Sequence, residues 1–219
     1  MSQEPVDPGG PRITLDAARL GAAVDDLTAR DPDLARIVER HGPPPMWDRA
    51  PGFPTLIHII LEQQVSLASA QAAFDRLRQA GAPPTPARFL ELTDEELLAI
   101  GFSRQKARYG RALAAAVQTG TLDLAGLDRL DDRTAQERLV AVPGIGSWTA
   151  TIYLLMALRR PDLWPAGDIA LAQAVADVKG VAVRPGPAEM LTLGEAWRPW
   201  RSVATRLFWH DYLSRRGRS

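Results

Sequence analysis

Apolar residues recur along most of this chain at the three- and four-residue spacing of amphipathic helices. No stretch shows sustained alternation of apolar and polar residues with β-branched side chains, the pattern of a strand. The sequence therefore predicts an all-α fold. The predicted helices cover residues 15–29, 32–41, 52–63, 66–80, 86–91, 94–100, 103–118, 122–127, 133–141, 147–159, 169–178, 187–195 and 199–214.

Capping residues and breakers mark several of these helix ends. Thr93 and Glu96 have the spacing of a capping box, Ser103 is a predicted N-cap, and Gly120 is a predicted stop. The linkers are rich in proline, at residues 42–45, 82–86 and 183–187.

Residues 142–150, VPGIGSWTA, predict a tight turn between two helices. Pro143 cannot continue the first helix, because it lacks an N–H group and clashes with the preceding turn. Gly144 and Gly146 permit a sharp backbone turn, and Ser147 and Thr149 are suited to starting the next helix. The exposed N–H groups at such a helix start can hold a phosphate. The alternative interpretation is an ordinary helix connection that happens to contain glycine.

Charge distribution and cysteine content limit the classes of partner and metal site that the chain can have. The formal net charge is zero, but residues 1–100 hold 9 basic and 15 acidic side chains, whereas residues 101–219 hold 17 and 11. This asymmetry fits a DNA-facing side opposite an acidic back, although solvated helix faces explain it equally well. The chain has no cysteine, which excludes disulfides, thiolate zinc sites and iron–sulfur clusters.

The N-terminal segment and the apolar runs predict where the protein resides. Residues 1–11 are acidic, contain proline and glycine, and lack the basic and apolar regions of a signal peptide. We expect residues 1–14 to form a disordered tail. The longest apolar runs are too short to span a bilayer. The protein is therefore expected to be cytoplasmic, with no membrane partner. We further expect a bacterial, nucleoid-associated protein.

Four segments, in a fixed order, carry a resemblance to a known family. They are the turn at 142–150 with Asp168 downstream, residues 53–66 (FPTLIHIILEQQVS), residues 101–107 (GFSRQKA) and residues 197–202 (WRPWRS). The set resembles the helix-hairpin-helix DNA glycosylase superfamily, and within it the alkylation-repair branch, 3-methyladenine DNA glycosylase II. The resemblance covers roughly residues 45–213. It implies two helical lobes, residues 66–160 in the centre and 15–65 plus 161–219 together, with the active-site cleft between them.

Asp168 matches the catalytic aspartate of this family by its position after the hairpin. Breaking an N-glycosidic bond develops positive charge on the sugar, and a nearby carboxylate stabilises that charge and can orient a water. Asp168 also stands where a helix N-cap is expected, and both roles are compatible.

Trp148 and Trp209 match aromatic residues that line the base pocket in the alkyl-base branch. Alkylated purines carry positive charge, and aromatic faces attract cations. Members that also cut the strand have a lysine where Trp148 stands, so a monofunctional enzyme is expected. The branch can carry tyrosine where this chain has Ile152 and Ile169, and these departures leave the lesion range open.

Further residues match family positions for DNA contact. Gln63 and Gln64 stand where the family places the side chain that fills the space left by an extruded base, although glutamines at a helix end can equally bond to backbone. The other matched positions are Gly144, Gly146, Ser147, Thr149, Ser103 and Lys106 for DNA, and the carbonyls of Val140, Val142 and Ile145 for a structural Na⁺ or K⁺.

The resemblance thus predicts a monomeric monofunctional glycosylase that flips out alkylated purines from damaged double-stranded DNA. Its products would be the free base, of the 3-methyladenine or 7-methylguanine type, and an abasic site. Two alternatives stay open at this point. One is a glycosylase for uracil, a mismatched base or an oxidised purine, and the other is a non-catalytic DNA-binding module that uses only the hairpin.

Overall fold

The computed structural model describes residues 13–80 and 84–217, and every regular element in those ranges is helical. The all-α prediction is confirmed. The α-helices are α1 (Ala17–Arg30), α2 (Pro32–His41), α3 (Phe53–Glu62), α4 (Leu67–Ala80), α5 (Pro86–Glu91), α6 (Asp94–Ile100), α7 (Arg104–Gln118), α8 (Asp132–Val140), α9 (Ser147–Met156), α10 (Ile169–Lys179), α11 (Pro187–Gly194) and α12 (Arg201–Arg215). Short 3₁₀ segments lie at Gly126–Arg129 and Glu195–Trp197.

Side-chain caps explain why many of these helices begin where they do. In each case an oxygen accepts an N–H group of the first helical turn, which would otherwise have no partner. The predicted capping box of Thr93 and Glu96 is present, and the Ser103 hydroxyl accepts the N–H of Lys106. The other capping side chains are Asp16, Asp31, Thr85, Asp131 and Asp168.

One predicted helix is wrong, and three others have an end shifted by two or three residues. The predicted helix 15–29 begins at Ala17, directly after its Asp16 cap. Residues 122–127 form a turn that leads into the 3₁₀ segment, because the Leu122 N–H donates to the Ala116 carbonyl and folds the chain against α7. The predicted helix 147–159 ends at Met156, whose carbonyl accepts the Arg49 N–H, and α12 begins at Arg201 rather than at 199. Of the predicted tail 1–14, only residues 13 and 14 lie within the described residues.

Helix α3 is the centre of the packing. Seven of its ten residues are buried, and it packs against α4, α7 and α9. Helices α1, α2 and α10 pack against α12, so the N-terminal helices lie beside the C-terminal one. The lobe boundaries at residues 65 and 160 stay a prediction. Among the described helices, none combines the length and the apolar character needed to cross a bilayer.

Inside the core, the Arg206 side chain joins three distant segments of the chain by hydrogen bonds. This side chain is completely buried, and its guanidinium donates to the carbonyls of Met46, Leu155 and Ser202 at 2.8–3.0 Å. Burial lowers the pKa of Arg206 to about 10. Because a guanidinium without these acceptors would be strongly destabilising there, Arg206 fixes the end of α9 relative to α12.

A second polar cluster joins the end of α10 to the start of α2. The Lys179 ammonium lies 2.8 Å from both Asp31 and Asp33, and the Trp197 indole N–H donates to Asp31. Burial opposes ionisation of Asp31, but the hydrogen bonds from Lys179 and Trp197 outweigh it and hold its pKa below 3.8. This cluster therefore stabilises the fold only while Asp31 is ionised.

Candidate active site

Helices α8 and α9 form the predicted hairpin. The turn between them is closed by hydrogen bonds from the Val142 N–H to the Leu139 carbonyl and from the Ile145 N–H to the Val142 carbonyl, 3.1 and 3.0 Å long. Val142 and Ile145 are buried, whereas Gly146 and Ser147 are exposed. The hydrophobic pair anchors the turn, and the residues that start α9 face solvent.

The start of α9 differs from most other helix starts in the described ranges, because no side chain caps it. Its N-cap is Gly146, which has no Cβ, and a Cβ added at this position would meet no atom within 4 Å. Uncapped N–H groups carry the positive end of the helix dipole and suit a phosphate oxygen.

Gly144 has a different requirement from Gly146. Its φ of 91° lies in the left-handed region, and a Cβ there would approach Tyr109 Cγ to 2.1 Å. Only glycine fits between the turn and the Tyr109 ring, so Gly144 is required by packing.

Asp168 is both a helix cap and the meeting point of two tryptophans. Its Oδ1 accepts the N–H of Leu171 at 2.7 Å, which starts α10, and the indole N–H of Trp209 at 3.4 Å. Its Oδ2 accepts the indole N–H of Trp148 at 2.8 Å. Three N–H donors from α9, α10 and α12 therefore fix the carboxylate in one orientation.

The two tryptophans combine an aromatic surface with these hydrogen bonds. Trp148 is half-buried at the start of α9, and Trp209 is 9 % exposed on α12. The neighbour of the carboxylate, Ile169, is 67 % exposed, whereas Ile152 is buried. The sequence predicted aromatic rings near Asp168 but not that their N–H groups would bind it.

The two glutamines that the sequence left as equivalent candidates have different surroundings. Gln63 is half-buried, and its Nε2 donates to the Gly144 carbonyl and the Thr149 hydroxyl at 3.0 and 2.9 Å. Gln64 is exposed and has a φ of 58°, a left-handed conformation that costs a non-glycine residue of order 1–3 kcal/mol.

The remaining predicted DNA-contact residues fall into two groups. Ser103 and Ser147 are exposed, and the Ser147 hydroxyl accepts a hydrogen bond from Gln136. Thr149 is only 2 % exposed, and the Lys106 ammonium donates to the Leu61 carbonyl at 2.6 Å. Burial lowers the pKa of Lys106. The side chains of Thr149 and Lys106 are thus engaged within the protein.

His58 and Glu62, on α3, both contact neighbouring side chains. His58 stacks on Phe74 with ring centroids 4.4 Å apart, and Glu62 forms two hydrogen bonds with Arg49. No group of three or more possible metal-ligating side chains occurs in the described ranges.

Comparison with known proteins agrees with this architecture. Residues 57–201 match the model of the HhH-GPD superfamily base excision DNA repair proteins, and the chain belongs to this superfamily. A crystal structure of a DNA-3-methyladenine glycosidase from Bacillus halodurans is 28 % identical, with a TM-score of 0.74 and 94 % of each chain covered. A Clostridium acetobutylicum 8-oxoguanine glycosylase/lyase shares the fold at 19 % identity, with a TM-score of 0.77 over 90 % of this chain and 70 % of that one.

The curated relatives are longer than the matched region. A Bacillus subtilis DNA-3-methyladenine glycosylase is 28 % identical over 72 % of this chain, and the match spans 56 % of that relative. A second Bacillus subtilis relative, also 28 % identical, is spanned over 65 % of its length.

Proposed function

We propose that this protein is a monofunctional DNA glycosylase that extrudes an alkylated purine from duplex DNA and hydrolyses its N-glycosidic bond. The observation that carries the proposal is the Asp168 carboxylate, held by three N–H donors beside two tryptophan rings. A negative charge fixed before the reaction stabilises the developing sugar cation without reorganisation. The tryptophan faces favour a cationic base over a neutral one.

The same carboxylate would also orient the attacking water. Its two oxygens have lone pairs beyond those that the three N–H groups use. Water attack at the sugar carbon breaks the bond to the base nitrogen, and the water proton passes to Asp168 or to solvent. An alkylated purine is already cationic and leaves as a neutral base.

The absence of lyase activity is proposed from the lysines. The chain has two, and neither is at position 148. The Lys106 ammonium donates to a backbone carbonyl, and the Lys179 ammonium is bound by Asp31 and Asp33. Formation of a Schiff base requires a free amine at the sugar carbon, and the hydrogen bonds of both ammonium groups support the proposal that neither lysine supplies one.

The protein would bind DNA at its phosphates. The N–H groups of Gly144, Gly146 and Ser147 would contact the DNA backbone, as would Ser103, and contacts of this kind do not depend on base sequence. Affinity should fall with salt, by a log–log slope of about −0.9 for each neutralised phosphate. We also assign Gln64, which is exposed, to the space left by the extruded base.

The carbonyls of Val140, Val142 and Ile145 would hold a monovalent cation next to the phosphate. The Val142 carbonyl accepts one N–H group in the closed turn and keeps a second lone pair, which supports this proposal. The ion would supply a positive charge between hairpin and DNA. Replacing K⁺ by choline at constant ionic strength should weaken duplex binding, and unchanged affinity would contradict this assignment.

The decisive experiment is base release from duplexes that contain one defined lesion: 7-methylguanine, uracil or 8-oxoguanine. The expected result is release of 7-methylguanine, strand breaks only after alkali, and no covalent adduct with borohydride. Release of uracil or 8-oxoguanine alone would favour the second glycosylase class. Absence of release from all duplexes, with DNA binding retained, would favour the binding module.

A further inference from the structure

The loop between α3 and α4, residues 63–66, leaves the core from a fixed point. Just before it, the Leu61 carbonyl accepts the Lys106 ammonium at 2.6 Å. The Glu62 carboxylate is 6 % exposed and accepts two hydrogen bonds from Arg49, at 2.7 and 3.2 Å. Two consecutive residues are therefore held by different parts of the chain.

Gln63 adds a third anchor, and this one reaches the hairpin. Its Nε2 carries two hydrogens and serves two acceptors, the Gly144 carbonyl in the turn and the Thr149 hydroxyl in the first turn of α9. One side chain of the α3–α4 loop thus binds both sides of the point where α9 begins.

The anchoring stops at the next residue. Gln64 turns the backbone through a φ of 58°, and its side chain is exposed, as are those of Val65 and Leu67. The outermost part of the α3–α4 loop is therefore presented from a base that is tied to the hairpin.

We propose that Gln63 is a positioning residue that fixes the α3–α4 loop to the DNA-gripping hairpin, so that the loop cannot retreat when a base is extruded. This inference rests on the proposed function. An extruded base tends to restack, and it stays out only while the protein occupies its place in the duplex. A loop that moved away from the bound phosphates would let the base return. A loop bonded to the hairpin turn instead stays at a fixed distance from those phosphates.

Gln63→Met tests this directly, because methionine keeps the length of the side chain and loses both N–H donors. The matched control is Gln136→Met. The Gln136 Nε2 donates to the hydroxyls of Ser147 and Thr151, both at 3.1 Å, and so supports the same helix from α8. Thr149→Val is a second variant, on the α9 side of the contact, because it removes one of the two acceptors of the Gln63 side chain.

Three measurements separate positioning from folding. The fluorescence of 2-aminopurine beside a 7-methylguanine reports extrusion in the saturated complex. Single-turnover base release is followed from the same lesion in a paired duplex and in one where the opposite nucleotide is missing. Affinity for undamaged duplex reports the hairpin grip, and circular dichroism reports folding.

For Gln63→Met we expect base release from the paired lesion and the extrusion signal to fall about tenfold, as for loss of two neutral hydrogen bonds. Release from the unpaired lesion and affinity for undamaged duplex should stay within about twofold, because neither depends on holding the base out. Thr149→Val should show the same pattern, about threefold, since it loses one bond. Gln136→Met should keep the wild-type extrusion signal.

Several results would overturn the proposal: wild-type extrusion in folded Gln63→Met, equal losses on paired and unpaired lesions, or the same extrusion loss in Gln136→Met. Failure of the proposed function has its own signature. Wild-type protein that extrudes the lesion but releases no base would remove the glycosylase assignment and leave Gln63 coupling intact. If the wild-type protein neither extrudes the lesion nor releases base, both the proposed function and the role of Gln63 are overturned.

Discussion

Replacing Asp168 by asparagine separates the charge of this side chain from its shape. Asparagine caps helices about as well as aspartate, so its oxygen can keep the hydrogen bond to the Leu171 N–H. Its amide nitrogen then faces the indole N–H of Trp148, which donates to Oδ2 over 2.8 Å in the native protein. Losing that acceptor should cost about 1–3 kcal/mol of the free energy of unfolding.

The expected loss of activity is larger. A carboxylate about 4 Å from a unit positive charge contributes roughly 4 kcal/mol at an effective dielectric constant of about 20. If the developing sugar cation lies at such a distance, the neutral Asp168→Asn variant should release base about 1000-fold more slowly. Affinity for damaged duplex should be retained, because the hairpin backbone is unchanged.

The assay is single-turnover base release from a duplex with one 7-methylguanine, with folding checked by thermal unfolding. Asp131→Asn is the matched control. Asp131 caps α8 in the same way, with Oδ1 accepting the Thr134 N–H and Oδ2 the Thr134 hydroxyl, at 2.7 and 2.8 Å. The Asp131→Asn control should release base at the wild-type rate. Release by folded Asp168→Asn within about fivefold of wild type would refute the electrostatic role, since an electrostatic group of this kind is worth about 100-fold or more.

Three further changes test other parts of the structure. Gly146→Asp should weaken binding to damaged and undamaged duplex alike while the protein stays folded, because a Cβ meets nothing within 4 Å there; normal affinity for both duplexes would remove the phosphate role of the hairpin. Trp148→Phe keeps a ring but loses the donor to Asp168, so single-turnover release should fall about 10-fold with unchanged affinity, as for a hydrogen bond to a charged group; an unchanged rate would contradict the positioning role of the indole. The depressed pKa of Asp31 gives stability that is complete above about pH 4 and is lost as pH falls through its folded value. Urea unfolding of Lys179→Met should therefore depend less on pH below about 4 than wild type does, and identical pH dependence would contradict this.

Local signals in the sequence predicted most of the fold, because caps and breakers act over a few residues. Thr93 and Ser103 start helices as their spacing indicated. The error at residues 122–127 has a nonlocal origin, since apolar spacing there was outweighed by a hydrogen bond back to Ala116 at the end of α7. Helix 147–159 ended early for a similar reason, because the Met156 carbonyl binds Arg49.

The candidate site was predictable as a set of residues but not as a set of contacts. The position of Asp168 after the hairpin indicated its place, whereas the two indole donors depend on how α9, α10 and α12 meet. The same holds for Gln63 and Gln64, which are adjacent and chemically identical. Their difference arises from the left-handed backbone of Gln64 and from the hairpin turn that Gln63 reaches.

Substitutions at the two glycines of the hairpin turn would give the same result in a mutational screen that measures only loss of DNA repair. Gly144 is held by the Tyr109 ring, so its substitution should deplete the folded protein in the cell. Gly146 stands in open space, so its substitution by aspartate should leave abundance normal and weaken DNA binding. Cellular abundance therefore distinguishes the two, and a Gly146→Asp variant would persist as a stable protein that binds DNA poorly.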